Sequence, residues 1–402
     1  MRAELPENMK NDFLTFDDAR QLAGPTAFGT MLKPVGASCN LRCNYCYYLD
    51  KQDFYPGQLP MMDESLLERY IRQYIQANEV DAVTFCWHGG EPTLRGIAFF
   101  KKAIAFQKKY ADGKRIINTL QTNGTRIDPE WCRLFAEEDF LVGISLDGPQ
   151  EIHDTCRRNA GGTPTHHRVM ESIRLFQEYG VEFNTLSVIR HGCEDQGREI
   201  YRFLRDEAGS RFLQFLPVME YHCQGRIVPP GTPGATPAPW NVSAAGYGKF
   251  LTDVFEEWKQ ADIGRVFVQL FEETLALWCG LRSGLCSLND RCGDGLVVEH
   301  NGDVYSCDHF VYPAYRLGNL KDSSLSELYQ LPGHQIFAQS KRKGLPQDCL
   351  DCKYYFACHG GCPKHRFDPQ PDDSLKYSLC EGWQQFLRHV TPFMNHFVHL
   401  QA

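Results

Sequence analysis

The sequence predicts an α/β chain, an open six-fold (β/α) barrel followed by a short, cysteine-dense module. Three observations carry that expectation. Six apolar runs of strand length alternate with amphipathic segments of helical period in the first half of the chain. Eight of the 17 cysteines fall between Cys286 and Cys380, in a turn-rich stretch with little periodic apolar pattern. Apolar residues make up 43% of the 402 positions and aromatics 12%. That is ample for a packed core, and the 23% of charged residues is not the composition of a disordered chain.

Residues 1–26 form a polar N-terminal extension mixing acids, bases and proline, which is no signal peptide. Strands are expected at 31–37, 82–90, 115–124, 141–148, 182–189 and 211–220. Helices are expected between them. In DESLLERYIRQYIQ the apolar set Leu66, Leu67, Tyr70, Ile71, Tyr74 and Ile75 recurs at helical spacing. Asp128-Pro129 offers a cap and then a proline at the first helical position. Further helices are expected at 96–111, 128–138, 166–179 and 198–207. Strands each separated by one helix pair in parallel through right-handed crossovers. A closed eight-fold barrel would need two more units, so a six-fold barrel fits better than it or an open doubly wound sheet. The segment 222–240 holds five prolines and reads as an irregular loop. A helical stretch follows at 245–282, and a last helix is expected at 381–400. The domain bounds are therefore 27–245 for the barrel, 246–285 for a helical linker, 286–385 for the cysteine-rich module and 386–402 for the helix end.

The charge sum, 42 basic against 50 acidic residues, is −8. That lacks the electrostatic footprint of a nucleic-acid or anionic-membrane binder. No apolar run approaches the roughly 20 residues that span a bilayer. A cytoplasmic protein is expected, and in reducing cytosol clustered thiols bind metal rather than form disulfides.

CNLRCNYC places Cys39, Cys43 and Cys46 at i, i+4 and i+7, just after the first strand. Three thiolates in one loop can hold three irons of a [4Fe–4S] cluster, leaving the fourth iron open to a small molecule. Zinc would want a fourth His or Cys, and that loop has none. The pattern resembles the radical S-adenosylmethionine (SAM) superfamily, whose open iron chelates the amino and carboxylate groups of SAM.

Loops after the C-terminal ends of barrel strands form the reactive face. In His88-Gly89-Gly90-Glu91-Pro92 the glycines allow close backbone approach and the Glu91 carboxylate can meet the SAM ammonium. The segment matches the superfamily's GGE motif and is otherwise a strand-to-helix turn. QTNG (121–124) and SLDG (145–148) end the third and fourth strands. There Asn123, Ser145 and Asp147 can touch the SAM ribose or the substrate backbone, or cap the next helix. Tyr45 can stack beside adenine or pack in the core, and Leu216 or Met219 can contact the adenine. The resemblance places an arginine for the SAM carboxylate where Arg157 stands.

Cys292-x9-Gly302-x4-Cys307, Cys349-x2-Cys352-x5-Cys358-x3-Cys362 and Cys380 after seventeen more residues resemble the SPASM domain of peptide- and protein-modifying radical SAM enzymes. Cys286 brings the count to eight, enough for two fully ligated [4Fe–4S] clusters. The resemblance implies Cys286, Cys292, Cys307 and Cys362 for one, and Cys349, Cys352, Cys358 and Cys380 for the other. On spacing alone, the four from 349 to 362 also suit an all-thiolate zinc knuckle. The other cysteines, Cys86, Cys132, Cys156, Cys193, Cys223 and Cys279, are scattered and read as structural thiols.

Nearly the whole chain is similar to anaerobic sulfatase-maturating enzymes. The likeness rests on KPxGxxCNLRCNYCYYL, WHGGEPTL, LQTNG, GISLDGP, CGDGLVVEHNGDVYSCDHFVYP and CHGGCPKHR. It implies oxidation of the cysteine or serine of a sulfatase C/S-x-P-x-R segment to Cα-formylglycine. It also implies three [4Fe–4S] clusters, SAM, a flavodoxin- or ferredoxin-type electron donor, and Asp308 as the base for the substrate thiol or hydroxyl. His88 departs from the glutamine more common there, and the 222–240 loop is a second departure. The alternative is another SPASM maturase, such as a thioether-forming one, but 26 residues are too few for the peptide-recognition domain such enzymes often carry.

Overall fold

The computed structural model describes residues 27–57, 61–293, 295–372 and 374–401, so the expected N-terminal extension lies outside the described residues. Six parallel strands alternate with helices, as the periodicity predicts: β1 (Gly29–Lys33), β2 (Ala82–Trp87), β3 (Arg115–Thr122), β4 (Leu141–Ser145), β5 (Phe183–Ile189) and β6 (Phe212–Pro217). They pair in sequence order. The helix Glu64–Ala77 buries all six of its periodic apolar residues against the sheet, and Asp63 caps it by accepting from Leu66 N. Asp128 caps Pro129–Glu137 in the same way, through Glu130 N and Trp131 N. Tyr70, Tyr74, Phe85, Trp87 and Phe100 form a buried aromatic seam there. Each fully buried side chain of that size contributes roughly 1.5–3 kcal/mol.

The barrel sheet does not end with those six strands. After β6 come β7 (Tyr221–Cys223), β8 (Arg226–Val228) and β9 (Thr236–Pro237), a separate three-stranded antiparallel sheet where an irregular loop was expected. Its strands are two or three residues long, too short to show a period. Ile227 N donates to Asp50 Oδ2, and Arg226 pairs with Asp53. Tyr221 packs its ring 3.8 Å from that of Phe367. This small sheet therefore ties the segment after the first cysteine loop to the C-terminal module.

The run expected as one helical stretch is two helices, Ala244–Ala261 and Gln269–Trp278, separated by β10 (Phe267–Val268), which pairs parallel with β6. Beyond Cys286, β11 (Gly295–Glu299) pairs parallel with β1 on the sheet's other side, from Gly29↔Gly295 to Lys33↔Glu299. The antiparallel strands β12 (Asp303–Tyr305) and β13 (Arg316–Asn319) complete a ten-stranded sheet. A two-stranded ribbon, β14 (Arg366–Pro369) with β15 (Leu375–Tyr377), leads into the last helix, Cys380–Gln401. That helix crosses Ala244–Ala261 at a glycine contact, where a Cβ on Gly382 would stand 1.7 Å from Ala244 O. No described helix is long and apolar enough to cross a membrane.

Candidate functional site

The first cysteine loop leaves the C-terminal end of β1. It is pinned from outside by the chain after Arg157: Arg42 N donates to Arg158 O and Ala160 N to Asn40 O. Cys39, Cys43 and Cys46 share one electrostatic neighbourhood: Cys46 disfavours ionisation of Cys39, and both disfavour that of Cys43. Burial pushes Cys39 up to about 11 and Cys43 up to about 12, the latter against the pull of Arg157. A bound cation would draw the protons off such thiols. Asn123 Nδ2 lies 3.6 Å from Cys39 Sγ and 2.9 Å from Asn40 Oδ1, so this side chain braces the loop.

The rim residues are gathered as expected but are bonded differently. Gly90 lies against the cysteine loop's lead-in, where a Cβ would meet Ser38 O at 2.0 Å, so only glycine fits. Glu91 is fully buried and both its carboxylate oxygens already accept, from Thr93 N and Oγ1, Thr122 Oγ1 and Asn123 N. It thereby clamps the loops after β2 and β3 together. Asp147 accepts from Tyr45 OH at 2.6 Å, from Arg157 Nε at 2.9 Å and Nη2 at 3.1 Å, and from Val188 N. Tyr45, Asp147 and Arg157 are thus one buried unit beside Cys43. Burial opposes the Asp147 charge, yet Arg157 outweighs it and the carboxyl stays below its ordinary range. Ser145 Oγ accepts from Gln121 Nε2 at 3.2 Å. Met219 is buried in the main core, whereas its neighbour Val218 packs with Tyr45, Cys156 and Cys43. Leu216 is exposed towards a cavity.

Asp308 follows β12, next to Cys307. The β1–β11 pairing brings it to the end of β1, where the fully buried ammonium of Lys33 pairs with its carboxylate. Tyr47 OH donates to the other oxygen. Burial works against the charge, but Lys33 overcomes it and holds the carboxyl well below the usual range. Lys33 Nζ also lies 3.2 Å from His88 Nδ1 and 4.1 Å from the Tyr48 ring centroid. Gly89 N donates to the same His88 nitrogen at 2.8 Å. Two donors on Nδ1 fix the neutral tautomer with its proton on Nε2. Burial and Lys33 keep that imidazole neutral by lowering it to about 4. Sequence reading passed over Lys33 and Tyr47; their signal was a cation ending an apolar strand and a tyrosine pair trailing the third cysteine.

Two cavities account for the C-terminal cysteines. One of about 500 Å3 reaches from Met31, Cys86 and Leu216 of the barrel to Asp308, Cys286, Cys292, Cys307 and Cys362. A second, of about 30 Å3, is lined by Cys349, Cys352, Cys358 and Cys380, and Cys358 also borders the first. Gln384 Nε2 lies 3.7 Å from Cys352 Sγ and 3.6 Å from Cys380 Sγ. Three buried donors nearby have no hydrogen-bond partner: Tyr355 OH, Trp383 Nε1 and Arg366 Nη2. Unpaired buried donors are costly; Tyr355 lines the second cavity and Trp383 both, so a sulfide-bearing cluster there would offer these two an acceptor. Cys362 also meets His309 and His365, with ligand atoms within 4.8 Å of one another. One thiol and two imidazoles fall short of a closed four-ligand zinc site.

Comparison with known proteins fits this geometry. Residues 34–204 match the radical SAM superfamily, and residues 286–353 match SPASM, an iron–sulfur cluster-binding domain. The chain is 43% identical over 374 residues to the serine-type anaerobic sulfatase-maturating enzyme of Bacteroides thetaiotaomicron, covering 91% of this chain and 90% of that one. To the cysteine-type enzyme of Clostridium perfringens strain 13 it is 32% identical, over 90% of this chain and 96% of the other. Among solved structures it resembles native anSMEcpe with bound AdoMet and the Cp18Cys peptide, with a TM-score of 0.82 and 30% identity, covering 94% of this chain and 100% of that one.

Proposed function

The chain belongs to the anaerobic sulfatase-maturating enzymes of the radical SAM superfamily, and from that premise we propose that it oxidises a cysteine or serine of a sulfatase segment to Cα-formylglycine. One observation carries the reading furthest. Tyr47, next to Cys46, donates to Asp308, next to Cys307, so a carboxylate stands between the first cysteine loop and the first C-terminal cysteine set. A reaction that needs a radical source, a base and an electron acceptor around one carbon needs that juxtaposition.

Cys39, Cys43 and Cys46 would hold the open [4Fe–4S] cluster. Cys286, Cys292, Cys307 and Cys362 would hold one auxiliary cluster, and Cys349, Cys352, Cys358 and Cys380 the other. When bound, the clusters and SAM would supply the radical chemistry that removes one hydrogen atom from the substrate Cβ, and an acceptor for one further electron. Asp308 takes the remaining proton, from the hydroxyl or thiol, which completes the two-electron oxidation. With serine the product is the aldehyde itself; with cysteine the sulfur then leaves as sulfide in exchange for a water oxygen. Lys33 keeps Asp308 ionised, and Lys33 and Tyr47 together aim it. His88 offers Nε2–H to the substrate where relatives more often offer a glutamine amide.

Around SAM, Arg157 would meet the carboxylate, Gly90 the ammonium through its backbone, and Ser145 the ribose, with Tyr45 and Val218 flanking the adenine. Glu91 positions Gly90 and Asn123. A flavodoxin- or ferredoxin-type protein would deliver the reducing electron, in a cytoplasmic setting. The test is to incubate reconstituted, reduced protein anaerobically with SAM and short C-x-P-x-R and S-x-P-x-R peptides, then measure peptide mass. An aldehyde product, with sulfur lost from the cysteine peptide, is expected and ranks the two substrates. Cleavage of SAM with both peptides intact would move the assignment to another maturase substrate.

A further inference from the structure

One buried cation lies within electrostatic reach of both C-terminal cysteine sets. Arg366 opens β14 and is only 4% exposed. Its Nε donates to Gly360 O at 3.0 Å and its Nη1 to Lys341 O at 2.7 Å. The third nitrogen, Nη2, is buried with no hydrogen-bond partner. The guanidinium interacts electrostatically with Cys362 and Cys292 of one set and with Cys349 and Cys358 of the other. Space for it is made by the turn between Cys358 and Cys362: a Cβ on Gly360, at φ +71°, would stand 3.1 Å from Nη2 and 2.2 Å from Leu345 Cδ2.

A fixed, buried guanidinium whose Nη2 has no partner is expensive unless its site supplies an acceptor. Cluster sulfur, carrying negative charge in an apolar cavity, is such an acceptor. We propose that Arg366 is a positioning residue shared by the two auxiliary clusters, donating from Nη2 to cluster sulfur and favouring the reduced state of the cluster it touches. Resting on the assignment of the eight cysteines to clusters, the proposal gives Arg366 a part in drawing the second electron off the substrate. Hydrogen bonds to sulfur and nearby positive charge are the protein's levers on cluster potential, and both raise it. The neighbouring buried Lys341 acts differently. Its ammonium is occupied by the carbonyls of Cys286, Ser287 and Asn289, so it orders the Cys286 loop.

The test is a redox titration, followed by electron paramagnetic resonance, of the anaerobically reconstituted full chain and its Arg366→Gln and Arg366→Lys variants. Iron and sulfide contents are measured first. Arg366→Gln with full iron is expected to lower the reduced-to-oxidised ratio of an auxiliary cluster at fixed potential by roughly tenfold. Arg366→Lys should fall between it and the parent, and the SAM-bound first cluster should not move. Unchanged titrations in a fully loaded Arg366→Gln protein would overturn the proposal, and so would loss of auxiliary iron in both variants, which marks a purely structural role. A parent protein with only the first cluster's iron would instead overturn the cysteine assignment beneath it.

Discussion

Lys33 and Asp308 form a buried ion pair across the seam between the barrel and the cysteine-rich module. Lys33 is the last residue of β1, and its strand partner in β11 is Glu299. Glu299 accepts from Tyr48 OH, as Asp308 accepts from Tyr47 OH. Two consecutive tyrosines behind Cys46 thus reach two acidic residues of the C-terminal module. The parallel β1–β11 pairing fixes the register of all four contacts, so the sheet that joins the modules also aims the base.

Asp308→Asn removes the proton acceptor while keeping shape and much of the hydrogen bonding. Peptide oxidation should fall by about 10²-fold or more, the usual contribution of a positioned base. Iron content and SAM cleavage without peptide should stay near parental values. Mass spectrometry of the peptide beside chromatography of 5′-deoxyadenosine checks both. Equal loss of the two activities would show that Asp308 supports the radical site and not proton transfer.

Lys33→Met leaves a buried carboxylate with Tyr47 as its remaining partner. Breaking a buried pair from one side costs roughly 3–5 kcal/mol, here divided between stability and a carboxyl that no longer stays ionised. A drop of at least about tenfold in peptide kcat/KM is expected, with partial recovery in Lys33→Arg, which retains the charge. Steady-state assays on the three proteins at matched iron content decide it. Full activity in Lys33→Met would remove Lys33 from the base's support.

The architecture was legible because its signals are long. Six strand runs and the apolar faces between them need no knowledge of partners, and cysteine spacing marks metal sites without any fold. What stayed hidden lies below those lengths or depends on contact. The β7–β9 sheet is made of two- and three-residue strands, and β10 interrupts a helical pattern with only Phe267 and Val268. Strands β11–β13 sit among cysteines and turns, and only pairing with β1 makes them part of the barrel sheet. In the site, Met219 and Val218 show how a one-residue difference sends adjacent side chains to different environments, one to the core and one beside Tyr45. Glu91 was readable as a carboxylate at the rim, but its bonds to Thr93, Thr122 and Asn123 were not.

The Tyr45–Asp147–Arg157 unit predicts a defect confined to SAM. Asp147→Asn keeps the shape but removes the charge that holds the guanidinium at two points. Loosening a buried bidentate pair should raise the SAM dissociation constant by about tenfold or more, since charged hydrogen bonds contribute roughly 1.5–3 kcal/mol. The KM for peptide should stay near its parental value. Equilibrium SAM binding, compared with peptide kinetics at saturating SAM, separates the two. A changed peptide KM with normal SAM affinity would move this unit from the cofactor to the substrate side.

Lys51 predicts how stability responds to pH. It is 2% exposed, and its ammonium lies 3.1 Å from the Tyr312 ring centroid. Burial, with repulsion from Lys364, lowers it from 10.5 to about 7. Between those two values the unfolded chain holds a proton at this site that the folded chain has released. Stability therefore gains from this group as pH rises through that window, and the full penalty of a buried ammonium is felt below it. Lys51→Met escapes the penalty. Its Tm should exceed that of the parent most at about pH 7 and below, and the gap should narrow by about pH 9. Anaerobic scanning calorimetry of both cluster-loaded proteins across that range is the measurement. Parallel Tm curves would mean that Lys51 keeps its proton in the folded chain, with Glu220 and Asp50 outweighing burial.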